Sequence, residues 1–159
     1  MAGIVEKVFV TPHAGGRLLP VASVQLEANK GIVGDRYHAG KGTFSKEDHA
    51  PKQDLTLIEA EEIEEFNKAH DAQLGYGEFR RNVITRGIKL NTLVGKVFQI
   101  NGIKVKGLEA CEPCAHLAEL AHPAVLPDMV HRAGLRAAII GNGEIKVGDS
   151  VGLPGEENS

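Results

Sequence analysis

The sequence predicts a mainly β fold: a twisted, mixed or antiparallel β-barrel with a few peripheral helices. Three observations carry that expectation. Short apolar runs bounded by turn residues recur along the whole chain. Helical periodicity is confined to two or three places, and helices do not alternate with strands as a doubly wound parallel sheet requires. The 19 glycines, beside only 4% aromatic residues and no Trp, fit many tight turns between short strands.

Taken in order, Ile4 to Val10 is a β-rich run stopped by Thr11-Pro12, and Gly15-Gly16 makes a turn. Val21 to Glu27 alternates in part, as a half-buried strand does. Gly31-Ile32-Val33-Gly34-Asp35-Arg36 reads as a compact loop unit. The polar stretch Tyr37 to Lys52 reads as a long loop, a feature that in compact domains is often functional. Asp54 to Ile58 is a short strand. Glu59 to Ala69 is the best helix: Ile63 and Phe66 share a face, Glu59, Glu61 and Glu62 suit the positive start, and Lys68 and His70 suit the end.

Gly75 to Glu78 reads as a loop, and Phe79 to Thr85 as a strand. Two β runs, Lys96 to Ile100 and Ile103 to Leu108, flank Asn101-Gly102 and predict a tight hairpin, since both turn residues tolerate positive φ. Pro113 to Ala121 and Pro127 to Ala133 read as short helices, with Pro early as helices permit. Leu135 to Ile140 and Glu144 to Val147, joined by Gly141-Asn142-Gly143, predict a second hairpin. Gly148 to Val151 closes the core, and 153–159 is a frayed tail.

A chain of 159 residues with 42% hydrophobic and 25% charged residues has the composition of one globular domain, 1–159. Its net charge of −3 and scarcity of rings argue against a nucleic-acid partner. No run approaches the roughly 18 apolar residues of a membrane span, and no secretory pattern opens the sequence. Two cysteines cannot build a disulfide framework, so a cytoplasmic location is expected.

Both cysteines fall in Cys111-Glu112-Pro113-Cys114-Ala115-His116. This spacing allows a redox pair, part of a zinc site, a buried pair, or one reactive thiolate with a bystander. A Cys₄ zinc site is excluded because no second pair exists, and the βαβ setting of a thioredoxin-type pair is missing. Pro113 can start a helix whose N–H groups lower the pKa of Cys114. In Phe79-Arg80-Arg81-Asn82, adjacent arginines on a strand point to opposite faces. One can then bind phosphate or carboxylate; the plainer alternative is a surface pair. Asp35 either caps a turn or holds a basic partner. Arg136, opening the apolar run Ala137 to Ile140, is either an edge residue or a pocket cation. No phosphate-binding glycine loop or G-x-S-x-G elbow is present.

Together, Gly34-Asp35-Arg36 with His38 and Gly40, Asp54 to Glu59, Phe79 to Val83, Leu93-Val94-Gly95, Pro113-Cys114, Gly134-Leu135-Arg136-Ala137 and Val147-Gly148-Asp149 resemble a MOSC domain. That domain is named for the C-terminal part of molybdenum cofactor sulfurases. The resemblance covers about residues 20–152. It implies a twisted mixed β-barrel and a site around one cysteine that carries sulfur or contacts molybdenum. Cys114, after Pro113, matches that cysteine; Arg80 and Asn82 match the family's Arg and Asn, Arg136 a late-strand arginine and Asp35 a loop acid.

Two departures stand out. Arg81 replaces the acid of an Arg-Glu-Asn pattern and makes the site more cationic, and Cys111 adds a second thiol. The chain has no room for the pyridoxal-phosphate desulfurase domain of larger relatives, so that cofactor is expected only on a partner protein. The resemblance therefore implies a stand-alone MOSC protein that binds a molybdopterin-type molybdenum cofactor or carries sulfur as a Cys114 persulfide. Arg80, Arg81, Asn82, Arg136 and Asp35 would hold the cofactor, with Cys114 as molybdenum ligand. A cysteine desulfurase or a molybdoenzyme is the expected partner. The alternatives are a non-catalytic barrel that binds a small anion or docks on a partner enzyme, and a zinc-stabilised structural domain.

Overall fold

A computed structural model describes residues 3–10, 18–28, 31–33, 54–111, 124, 129 and 132–154. Among these, eleven strands form two sheets. The strands are β1 (Gly3–Val10), β2 (Leu19–Val21), β3 (Ser23–Glu27), β4 (Gly31–Ile32), β5 (Leu55–Glu59), β6 (Val83–Arg86), β7 (Val97–Ile100), β8 (Ile103–Ala110), β9 (Leu135–Ile139), β10 (Gly143–Lys146) and β11 (Ser150–Gly152). The order β11-β7-β8-β9-β5-β6-β1 closes on itself through β1–β11, giving a seven-strand barrel with β2 added outside β1. Only β5 and β6 pair in parallel, so the barrel is mixed. A second sheet, β10-β3-β4, lies apart in the pairing.

Alternation fills the barrel. Leu55 and Leu57, Val83, Leu135, Ala137 and Ile139, Val105, Val5 and Val8 turn into one buried cluster. The other side of β5 and β6 supplies Ile58 and Ile84 to a second cluster beneath the helix α1 (Ala60–His70), which contributes Ile63 and Phe66. Phe66 meets Phe79 edge-on, with ring centroids 5.7 Å apart. The helix begins with Glu61 and Glu62, carries Lys68 and His70 in its last turn, and stops at Asp71 in the left-handed region (φ 49).

The Asn101-Gly102 hairpin forms as its sequence predicts: φ is 51 and 76 at the two turn residues, and Val97 to Ile100 pairs with Ile103 to Lys106. The second predicted hairpin does not form. β9 pairs with β5 and β8, whereas β10 crosses to β3. Asn142 uses its side-chain oxygen to accept the Ala28 N–H (2.8 Å), tying the turn to the end of β3 instead.

Gly31-Ile32, read as loop, is the short strand β4. The predicted strand Phe79 to Thr85 is also corrected. Tyr76–Phe79 is a 3₁₀ turn that drives Phe79 into the core, and pairing begins only at Val83. A second 3₁₀ turn spans Leu90–Leu93, burying Leu90 and Leu93. The predicted turn at Gly15-Gly16, loop Tyr37 to Lys52, helix Pro113 to Ala121 and tail 155–159 lie outside the described residues, as does most of Pro127 to Ala133. No described helix is long and apolar enough to cross a membrane.

Candidate functional site

Of the predicted residues that the structure describes, Asn82 and Arg136 flank Thr56 on β5. Thr56 is in register with Arg136 on β9, and Arg136 with Glu109 on β8. On the other flank Asn82 stands beside Thr56. Its Oδ1 accepts from the Thr56 N–H (3.3 Å) and hydroxyl (3.1 Å), and its Nδ2 donates to the Phe9 carbonyl (3.2 Å). The Asn82 N–H donates in turn to Thr56, and the Phe9 N–H to the Asn82 carbonyl (2.7 Å). One row, Asn82–Thr56–Arg136–Glu109, thus runs from the residue before β6 across the three strands β5, β9 and β8. It runs from a buried amide to an exposed carboxylate.

Gly134 allows the row to form. It has φ +116, and a Cβ there would lie 2.0 Å from the Leu57 carbonyl oxygen, so a side chain is excluded where β9 enters against β5. Its carbonyl accepts the Cys111 N–H (2.8 Å), pinning the end of β8 to the start of β9.

The two adjacent arginines are not on a strand. Arg80 ends the 3₁₀ turn in the left-handed region (φ 63), half-buried, with its N–H on the Gly77 carbonyl (3.1 Å). Arg81 is only 8% exposed. Its Nε donates to the Ala133 carbonyl (2.8 Å) and its Nη2 to the Cys111 carbonyl (3.2 Å). The guanidinium therefore joins the two ends of the chain segment that carries Cys114. Cys111 itself is fully buried.

Cys114 and Asp35 lie outside the described residues.

The other described arginines differ in their engagement. Arg86 pairs with Glu6 (3.2 Å) and with Glu64, whose carboxyl this cation and the Tyr76 hydroxyl hold below the usual range. Arg132 pairs with Glu62 (3.2 Å) and Glu65 (3.7 Å). Half-buried Arg136 has no ion pair or hydrogen bond to its side chain among the described residues. No cluster of three or more His, Cys, Asp or Glu suited to a metal ion occurs among them. Thr56 was missed by the sequence reading, because its role depends on cross-strand register that no local pattern encodes.

The family model for the MOSC domain matches residues 25–152. No curated protein matches the chain. Among solved structures, the YuaD protein from Bacillus subtilis superposes with a TM-score of 0.81 at 15% identity, over 95% of this chain and 94% of that one. YiiM from Escherichia coli gives 0.70 at 16% identity, over 96% and 69%. YiiM from Geobacillus stearothermophilus gives 0.62 at 15% identity, over 95% and 72%. At these identities the likeness is one of fold.

Proposed function

The chain belongs to the MOSC family, and from that premise we propose that it binds a phosphate-bearing molybdopterin-type cofactor or carries sulfur on Cys114 for such a cofactor. The observation that supports this reading most directly is Arg136. A half-buried guanidinium without an ion pair among the described residues is a ready partner for an anion, because Arg binds phosphate through two parallel donors. The donor set fits the group: Arg136 and Arg80 would hold its phosphate, and the Cys114 thiolate is a soft ligand suited to molybdenum. When bound, that cofactor would supply the metal–sulfur redox centre.

For sulfur carriage, the Cys114 thiolate attacks the outer sulfur of a persulfide on a donor protein. A new S–S bond forms on Cys114, and the donor cysteine leaves as thiolate. Cys111 is poorly suited to that work. It is fully buried, with its N–H and C=O both engaged.

Mass spectrometry and metal analysis of protein from its native host test the proposal. Cys114→Ser is expected to abolish the persulfide or the bound molybdenum, and Cys111→Ser to retain most of it. Arg136→Ala is expected to weaken a phosphate-bearing pterin by about tenfold or more, the loss of one charged hydrogen bond. Full persulfide and metal content in Cys114→Ser would overturn the thiol assignment. Anion binding that persists without persulfide or molybdenum would instead identify a non-catalytic delivery module.

A further inference from the structure

A second site lies on the opposite, inward side of the same strands. Where β5 and β6 end, a cavity of about 540 Å³ opens at a mouth of the barrel, within the size range of small-molecule sites. Ile88, Leu93 and Leu153 give it apolar walls, and Glu59, Glu61 and Lys89 give it charge.

Its polar groups are incompletely satisfied. Glu61 Oε2 accepts the Gly87 N–H (2.8 Å), but Glu61 Oε1 is buried with no hydrogen-bond partner. The only other such side-chain atom among the described residues is Thr85 Oγ1. Thr85 is fully buried and is the register partner of Glu59. One unpartnered atom, Glu61 Oε1, thus belongs to the cavity lining, and the other to the strand neighbour of the lining residue Glu59. Native interiors rarely leave such atoms unpaired without an ion, water or ligand to meet them. Glu59 is held only loosely, by the Leu90 N–H (3.3 Å) and by Lys89 at 3.8 Å, whose own side chain is 79% exposed. Two carboxylates against one solvated ammonium leave the mouth net acidic.

We infer that this cavity is a binding site for a small organic cation, a primary ammonium carrying a short aliphatic body. The ammonium supplies the donors that Glu61 Oε1 and Glu59 lack, and the aliphatic part covers Ile88, Leu93 and Leu153. A bare divalent metal fits less well. Calcium takes six to eight oxygens and magnesium a full octahedron; two carboxylates supply few of these, and the aliphatic walls add none. Desolvation raises the Glu59 carboxyl pKa, opposed by the Leu90 N–H and Lys89, with the Glu62 and Glu61 charges adding to the rise. The site does not involve Cys114, Arg80 or Arg136, and its failure would leave the proposed function untouched.

The test is titration of the protein with n-butylammonium chloride, followed by amide chemical shifts in NMR. Saturable shifts centred on Gly87, Ile88 and Leu93 are expected. Glu61→Gln, which keeps an oxygen for the Gly87 N–H, should weaken the apparent affinity at least tenfold, and the remote, exposed Glu144→Gln should not change it. If Glu61→Gln does not fold, 1-butanol serves as the neutral probe and is expected to bind at least tenfold more weakly than the ammonium. Absence of saturation, equal affinity in Glu61→Gln, or equal binding of butanol would overturn the inference. Tighter binding of calcium chloride than of butylammonium would overturn the ligand class.

Discussion

The two sides of β5 and β6 solve the problem of buried polarity differently. On the outward side, Asn82 and Thr56 satisfy one another, Asn82 also meets the Phe9 carbonyl, and Arg81 donates to the Ala133 and Cys111 carbonyls. Where these strands end, Thr85 on the inward side of β6 and Glu61 at the start of α1 each keep a side-chain oxygen without a partner. A saturated network fixes chain geometry, because every member loses a hydrogen bond if any one moves. An unsatisfied pocket instead holds free energy that a complementary donor can recover. Polar burial alone thus does not mark a binding site; the state of its hydrogen bonds distinguishes scaffold from receptor.

The largest effect that would sharpen this contrast is expected at Arg81. Arg81→Ala removes two charge-assisted bonds to buried carbonyls and should lower unfolding free energy by about 3–6 kcal/mol in a denaturant titration. Arg81→Lys, which keeps the charge but not the planar fork, should recover only part of that. A loss below about 1 kcal/mol in Arg81→Ala would mean the outward network is not a scaffold. Asn82→Ala should follow, at about 2–4 kcal/mol, because it strands the Thr56 N–H and the Phe9 carbonyl. Urea midpoints of the variant at constant slope would measure it.

Smaller effects belong to the mouth. The folded pKa of Glu59 lies above its unfolded value, so the folded chain binds the extra proton between the two. Its contribution is fully present below the ordinary carboxyl pKa and is lost as pH rises through the raised one. Glu59→Gln should remove that decline and leave the variant at least as stable as the parent at neutral pH, as read from melting temperature against pH. A steeper decline in the variant would reverse the assignment. Smallest of all, Thr85→Val should be neutral or stabilising by up to about 1 kcal/mol, since the hydroxyl it deletes has no partner. A clear destabilisation in thermal melts would show that the hydroxyl is satisfied in solution.

How much of this was legible in the sequence depended on whether the signal was local. The Asn101-Gly102 hairpin was legible, because turn chemistry and adjacent strands settle it together. Gly141-Asn142-Gly143 carries the same turn chemistry, yet its flanking strands take distant partners, and only tertiary register decides between the two outcomes. The helix was placed to within a residue by Ile63, Phe66 and the charges at its ends. Arg80 and Arg81 were legible as a motif but not as geometry, since a left-handed residue after a 3₁₀ turn imitates the start of a strand in one dimension. Glu59 and Glu61 read as helix-start acids, and nothing in their spacing announces a cavity formed with Leu93 and Leu153.

The seam between β1 and β11 also has a consequence for biosynthesis. Gly3 lies against Val151, and Ile4 against Ser150. In a nascent chain whose earlier strands have paired before residue 150 emerges, β7 and the Gly3–Ile4 end of β1 are unpaired edges, each a template for pairing with another chain. The last contacts to form span nearly the full sequence, the arrangement that makes folding slow. Synthesis from the N-terminus therefore opens an interval of exposure to aggregation, which ends only when the final strand arrives.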